Sequence, residues 1–317
     1  MRLRRSALGS TFELILDGDR DSATLNDMAE EAFEEVQRLE AQLTAFRDAS
    51  EVSWINRSGY PGPVPVEPGL FDLLGVAKWV HQETAGAFDV TVGPLVRCWG
   101  FHERQGHVPS DRALEEARGR VGMQHVELDG ERRALRFTRP GIEINLGAIG
   151  KGYVVDRVAD MLEGWGIHSA LIQTGGSSVC ALGAPPVEPR GWRLGVRPGG
   201  DGGERLGVVT LKDRCISTSG DFRQHFIADG RRYGHILDPR SGRPVSGVRA
   251  ATCIGKSATL CDALSTAFAV MGPAGTRRYC ASHDESAVLL VEADGGGTAV
   301  HEIGCSMETE DEWHEHD

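Results

Sequence analysis

The 317-residue chain lacks the features that would place it at once. No apolar run approaches the roughly 20 residues that a helix needs to cross a bilayer. The start, MRLRRSALGSTFELIL, has no clear hydrophobic stretch ending in a small-residue cleavage site, so neither a membrane span nor an export signal is expected. Basic residues are scarce: 34 Lys and Arg face 46 Asp and Glu, a net charge of -12. Nucleic acid and anionic membranes require clustered positive charge, and both are excluded as partners. An anionic substrate must then be held locally, by a metal, a lysine or backbone amides. The seven cysteines (98, 180, 215, 253, 261, 280 and 305) are odd in number, scattered and without a Cys-x-x-Cys pair, which predicts free, mostly buried thiols in a reducing cytoplasm.

What is present is an ordinary globular composition, 40% hydrophobic and 25% charged, with 41 glycines that favour tight turns and close backbone approaches. The length allows one large domain or two smaller ones. Apolar residues at three-to-four spacing predict helices over 25–46, 69–82, 111–118 and 151–163, the last stopped by Gly164. A further helix is expected from about 258 to Met271, with Gly272 and Pro273 as its stop. Short strands are expected near the start and at 132–138, 142–146, 168–173, 192–197, 206–211 and 286–293. Strands and helices do not alternate regularly, so the fold class is α+β, mixed sheets flanked by long helices. The Pro- and Gly-rich stretches within 185–206 read as surface loops around a strand, not as a linker. Residues 306–317 read as an acidic disordered tail, and a metal bound by its His314 and His316 is a minor alternative.

Chemistry concentrates in two segments. In SATLCDALSTAFAVMG, Asp262, Ser265 and Thr266 are spaced i, i+3, i+4 and share one side of a helix. One carboxylate and two hydroxyls suit a hard cation such as Mg²⁺, which keeps positions open for phosphate oxygens; the alternative is that Asp262 caps the helix. In INLGAIGKGYVVD, 144–156, a strand turns through three glycines into a helix whose N-terminus favours an anion, with Lys151 at the entry, either on a phosphate or in solvent. It is neither a Walker A loop nor a dinucleotide fingerprint, since Asn145 and Gly152 occupy positions a Walker A loop reserves for other residues. Phe88 and Asp89 precede what reads as a short apolar strand, and TGGSSV at 174–179 is a further glycine turn. His235, among turn residues, is the candidate general base, or else a structural histidine. A Ser219-His235-Asp238 relay is rejected: no Gly-x-Ser-x-Gly elbow exists, and the three lie too close in sequence.

Taken in order, GST at 9–11, SEVSWIN at 50–56, GAFDVTVGPLV at 86–96, INLGAIGKGYVVD, the glycine pair Gly175 and Gly176, ISTSGDF at 216–222, HILDPRSGRP at 235–244 and DALSTAFAVMG at 262–272 resemble the ApbE family of FAD:protein FMN transferases. The resemblance covers about residues 8–293 and implies a single ApbE-like domain over 1–305. It implies Mg²⁺, FAD as substrate, and transfer of the FMN half onto a Ser or Thr hydroxyl of an acceptor flavoprotein with release of AMP. By the same resemblance Asp262, Ser265, Thr266 and the Ala148 carbonyl hold the metal. Phe46, Ala87, Phe88, Asp89, Asn145, Lys151 and Ile236 contact the flavin nucleotide, and His235 activates the acceptor hydroxyl. The chain departs from the family pattern at Ser177, where Asp is common, and at Phe46, where Tyr is common. Hydrolysis of FAD to FMN and AMP, and flavin storage without turnover, are the competing readings.

Overall fold

The computed structural model describes the chain except residues 18–19, 104, 198–205, 223, 295–296 and 305–317. The expected tail at 306–317, with His314 and His316, and Cys305 lie outside the described residues.

Strands β1 (Arg2–Ala7) and β2 (Ser10–Asp17) form a hairpin. Helix α1 (Ser22–Leu43) follows, capped by Asp21, whose carboxylate accepts the Thr24 amide at 3.0 Å. It ends short of the expected boundary and leaves Phe46 outside. Helix α2 (Glu51–Ser58), strand β3 (Val64–Pro65), helix α3 (Pro68–Glu83) and the short helices α4 (Gly93–Cys98) and α5 (Asp111–Arg118) come next. Strands β4 (Val126–Asp129) and β5 (Ala134–Phe137) join β3 in a small sheet ordered β3-β5-β4. Helix α6 (Gly150–Gly164) leads into β6 (Ser169–Thr174), β7 (Ser178–Leu182), the hairpin of β8 (Trp192–Val196) and β9 (Gly207–Leu211), and β10 (Arg214–Gly220). The hairpin of β11 (His225–Ala228) and β12 (Arg231–Gly234), then β13 (Val248–Gly255), α7 (Ala258–Cys280), β14 (Ala287–Asp294) and β15 (Gly297–Ile303) complete the chain.

Eight strands make the main sheet, in the order β1-β2-β6-β7-β10-β13-β14-β15, every neighbouring pair antiparallel. Period-two alternation decides what each face meets. On β6, Ala170 and Ile172 join Phe12 and Leu14 of β2 in the core shared with α1, α6 and α7, while Leu171 joins Trp192, Val209 and Ile254 in a second core on the other face. A third cluster of Leu95, Trp99, Phe101, Leu114 and Leu237 packs α4 and α5 against the 235–244 segment. The fold is thus α+β with mixed sheets and long helices, as expected.

Two expected strands are absent. Residues 142–146 carry only an isolated bridge between Val92 and Glu143. Their alternation of Ile142, Ile144 and Leu146 marks burial, but their backbone is satisfied piecemeal: Asn56 takes the Ile144 amide at 2.7 Å and its carbonyl at 3.0 Å, and the Val90 carbonyl takes the Asn145 amide at 2.7 Å. The apolar stretch after Asp89 is helix α4, since Pro94 in its first turn has a φ preset for helix. Helix α7 breaks at Gly272 (φ 64°, ψ 179°), where the stop was expected, and then resumes to Cys280 with Pro273 inside it. The described cysteines are free; 180, 215, 253 and 261 are buried.

One carboxylate docks α6 to α7. Asp156 accepts the amides of Ala258 (2.7 Å) and Thr259 (2.9 Å), two of the N–H groups that the start of a helix leaves wanting, and the hydroxyls of Ser257 (2.7 Å) and Thr259 (2.6 Å). Asp156→Ala should cost about 2–4 kcal/mol in urea denaturation, because charge-assisted bonds and a helix cap are lost together; a loss below about 1 kcal/mol would contradict this role.

Candidate active site

Asp262 lies on α7 with 2% of its surface exposed, facing the N-terminus of α6. Its Oδ2 accepts the Gly152 amide at 3.0 Å; its Oδ1 accepts the Ser217 hydroxyl at 3.2 Å and lies 3.7 Å from Lys151 Nζ. A buried carboxylate needs such partners, because an unpaired charge there would cost several kcal/mol. Gly152 makes the approach possible: a Cβ at this position would sit 2.1 Å from the Ala258 carbonyl oxygen and 2.8 Å from Asp262 Cβ. Asp262 is therefore not a helix cap. That role belongs to Ser257, whose Oγ accepts the Leu260 amide at 3.2 Å.

One turn further along α7, Ser265 is fully buried and Thr266 part-exposed. The Ser265 hydroxyl donates to the Asp262 carbonyl at 2.9 Å, and the Thr266 hydroxyl lies 3.4 Å from the same carbonyl. Strand β10 lies beneath, and its alternate residues Ser217 and Ser219 meet this ridge: Ser219 Oγ is 2.8 Å from Ser265 Oγ and 2.9 Å from Thr266 Oγ1. Ser217 also bonds the Ser178 hydroxyl (2.8 Å) and the Ser177 carbonyl (3.0 Å). At Ser177 it is thus the backbone that reaches the site's surroundings, while its own hydroxyl turns back onto the Thr174 carbonyl at 3.2 Å.

The glycine loop closes one side. Asn145 Oδ1 accepts the Gly147 amide at 2.9 Å, folding a tight turn that carries Ala148 into the start of α6. Lys151 returns to the Gly147 carbonyl at 3.1 Å. Asn145, Ala148, Lys151, Asp262, Ser265 and Thr266 thus belong to one neighbourhood, lined by a carboxylate, hydroxyls and an ammonium. The donors are all hard oxygens, which fits Mg²⁺ and not a soft metal.

The segment 87–89 abuts this loop through the Val90 to Asn145 bond. Ala87 and Phe88 are each 1% exposed, so what they can offer a ligand is backbone. Both oxygens of Asp89 are engaged within the protein: Oδ1 by the Thr91 amide (2.7 Å) and hydroxyl (2.5 Å), Oδ2 by the Met123 amide (3.1 Å) and His81 (3.1 Å). His81 Nδ1 also lies 3.0 Å from the Phe88 carbonyl. Asp89 therefore shapes this segment from within.

Phe46 and His235 are linked to one another by a chain of contacts. Phe46 is 62% exposed, its ring 4.7 Å from that of His102. The neighbouring Phe101 carbonyl accepts Gln224 Nε2 at 2.9 Å, and the Gln224 carbonyl receives both the backbone amide (3.1 Å) and Nδ1 (3.0 Å) of His235. A carbonyl only accepts, so Nδ1 carries a proton, and in the neutral form of the ring Nε2 is the basic nitrogen. Ile236 is buried, its carbonyl accepting the Val245 amide at 2.9 Å. The rejected relay does not form: Ser219 bonds the α7 hydroxyls and Asp238 holds Arg240 at 2.8 Å. A cavity of about 950 Å³ between α1, α3, α6 and the start of α7, lined by Trp79, Tyr153 and Arg157, contains none of the candidate residues.

Sequence reasoning gave no role to Ser217 or His81, weighed Ser219 only in the rejected relay, and read Gly152 only as one of the glycines of the turn into α6. The period-two serines of ISTSG were the available signal for the strand residues; nothing in the sequence pairs His81 with Asp89.

Fold and site together define a mixed α+β protein with an oxygen-rich cluster where two helices meet a serine-bearing strand. Its architecture recurs in solved structures: an ApbE protein from Thermotoga maritima (TM-score 0.85, 31% identity, 95% of this chain and 96% of that one) and the flavin transferase ApbE of Vibrio cholerae (TM-score 0.84, 29%, 95% and 96%). A Vibrio cholerae relative named FAD:protein FMN transferase is 32% identical over 304 residues, 93% of this chain and 89% of its own; one of the same name from Treponema pallidum is 30% identical over 302, covering 91% and 80%. The model of the ApbE family matches residues 8–290, and the chain belongs to that family.

Burial pulls the His81 imidazole down, but the hydrogen bond and charge of Asp89 outweigh it and hold its pKa above the ordinary 6.5. A raised histidine contributes stability that is full below its unfolded value and lost as pH rises through the folded one. His81→Ala should therefore destabilise the protein more at pH 5.5 than at pH 8.5 in urea titrations; equal losses at both would contradict the pairing.

Proposed function

We propose that this chain, with Mg²⁺, transfers the FMN half of FAD onto a Ser or Thr hydroxyl of an acceptor flavoprotein and releases AMP. The observation that carries the reading is the buried Asp262 carboxylate, held by Lys151 and the Ser217 hydroxyl, on the same helix ridge as Ser265 and Thr266, whose hydroxyls lie on the Asp262 backbone carbonyl. The names of the relatives, FAD:protein FMN transferase, support it. Asp262, Thr266, Ser265 and the Ala148 carbonyl are proposed to hold the cation, which would neutralise the diphosphate and stabilise charge developing in the displacement.

The chain's own groups supply the rest. Lys151 can exchange its pairing with Asp262 for a phosphate oxygen. Asn145 shapes the turn against the nucleotide, and the 87–89 and 235–236 segments present backbone to it. Phe46 offers an exposed ring face to the isoalloxazine. In the transfer, the acceptor hydroxyl oxygen bonds to the phosphorus on the FMN side, the bond from that phosphorus to the AMP oxygen breaks, and the hydroxyl proton goes to His235 Nε2. A serine or threonine hydroxyl is a weak nucleophile at neutral pH and needs such a base. Among the described residues no helix is long and apolar enough to cross a membrane. A cytoplasmic setting belongs to the same proposal and rests on the cysteine pattern.

Incubation with FAD, Mg²⁺ and an acceptor peptide should add the mass of FMN to the peptide. Free FMN alone would indicate hydrolysis, and unchanged FAD storage. His235→Ala should slow transfer by at least about 100-fold while FAD still binds; an unchanged rate would remove His235 from the mechanism.

A further inference from the structure

We propose that Ser219 of β10 is a positioning residue for the cation ridge, acting through the hydroxyl of Thr266; the inference rests on the reading above that this ridge takes a divalent cation. Each hydroxyl has one proton and two lone pairs, and only a lone pair can meet a cation. Ser265, fully buried, commits its proton to the Asp262 carbonyl at 2.9 Å. Its oxygen can then accept, and Ser219 donates to it at 2.8 Å. With its own proton used, Ser219 can only accept from Thr266, at 2.9 Å. The other acceptor open to Thr266, the Asp262 carbonyl, is 3.4 Å away. The Thr266 proton is thereby drawn toward the strand, its rotamer is fixed, and its lone pairs are left for a ligand.

The spacing that permits this is physical. Residues two apart on a strand repeat at about 6.6–6.8 Å, and residues four apart on a helix at about 6 Å. Ser217 and Ser219 can therefore serve Asp262 and Thr266 together, Ser217 reaching the Asp262 carboxylate at 3.2 Å. Strand β10 supports both ends of the ridge without carrying a proposed ligand itself.

The test is titration of the metal-free full chain with Mn²⁺ followed by electron paramagnetic resonance, without FAD. Supporting groups around metal ligands are worth about 10- to 100-fold in affinity, so Ser219→Ala should weaken Mn²⁺ binding by that factor. Its metal-free unfolding midpoint should stay near that of the wild type. Ser219→Thr, which keeps the hydroxyl, should bind within about threefold of the wild type. Should the alanine variant fail to fold, Ser219→Cys, of similar size but a weak hydrogen-bonding group, carries the same expectation. Wild-type affinity in the variants lacking the hydroxyl, or equal weakening in Ser219→Thr, would overturn the inference and leave the proposed activity standing. A wild-type chain that takes up no Mn²⁺ would overturn the cation site, and this inference with it.

Discussion

The contact on which the site depends is the bond from the Gly152 amide to the buried carboxylate of Asp262. It joins the first turn of α6 to the second turn of α7 at a distance that no side chain at residue 152 would permit. Asp156, one turn further along α6, grips the start of α7 from the same helix. Two carboxylates thus fix how the helices meet, one as a cap and the other as the centre of a buried polar cluster. Because an uncompensated buried charge is costly, the surroundings of Asp262 must supply donors, and they do so from two elements: α6, with the Gly152 amide and the Lys151 ammonium, and β10, with the Ser217 hydroxyl.

This arrangement explains why the site's polar groups do not weaken the core. Strand β10 sends Ile216 into the apolar layer on one face of the sheet, while Ser217 and Ser219 face the helices. Their hydroxyls find partners on α7 or on β7, so few polar groups are stranded. Buried polar networks of this kind are stable only when satisfied; Thr174 Oγ1, at the end of β6, is buried without a hydrogen-bond partner among the described residues. Residues farther from the ridge have a looser relation to it. Phe46 and His235 are joined to each other through His102, Phe101 and Gln224.

Much of the fold was legible where one physical signal acted alone. Helices α3, α5 and α6 fall within a residue or so of the expected spans, because amphipathic spacing, proline entries and glycine exits agree there. The segment 142–146 misled because alternation reports burial and cannot say whether a ladder or an Asn56 side chain satisfies the backbone. The serines of β10 were not legible, since no strand was expected at 214–220 and the alternate hydroxyls of ISTSG gain meaning only once a helix is placed over them. Asp262, Ser265 and Thr266 were legible as a set because helix geometry is local. The engagement of Asp89 with His81, Thr91 and Met123 was not, since it depends on chain segments up to 34 residues away.

The central claim is that the Asp262 ridge is a cation site, and the most direct measurement is an anomalous-scattering map from crystals grown with Mn²⁺. The account predicts a single strong peak about 2.1 Å from an Asp262 carboxylate oxygen, with Thr266 Oγ1 also in its coordination shell. A map with no peak at this ridge, or with manganese only at other carboxylates of this acidic chain, would contradict it.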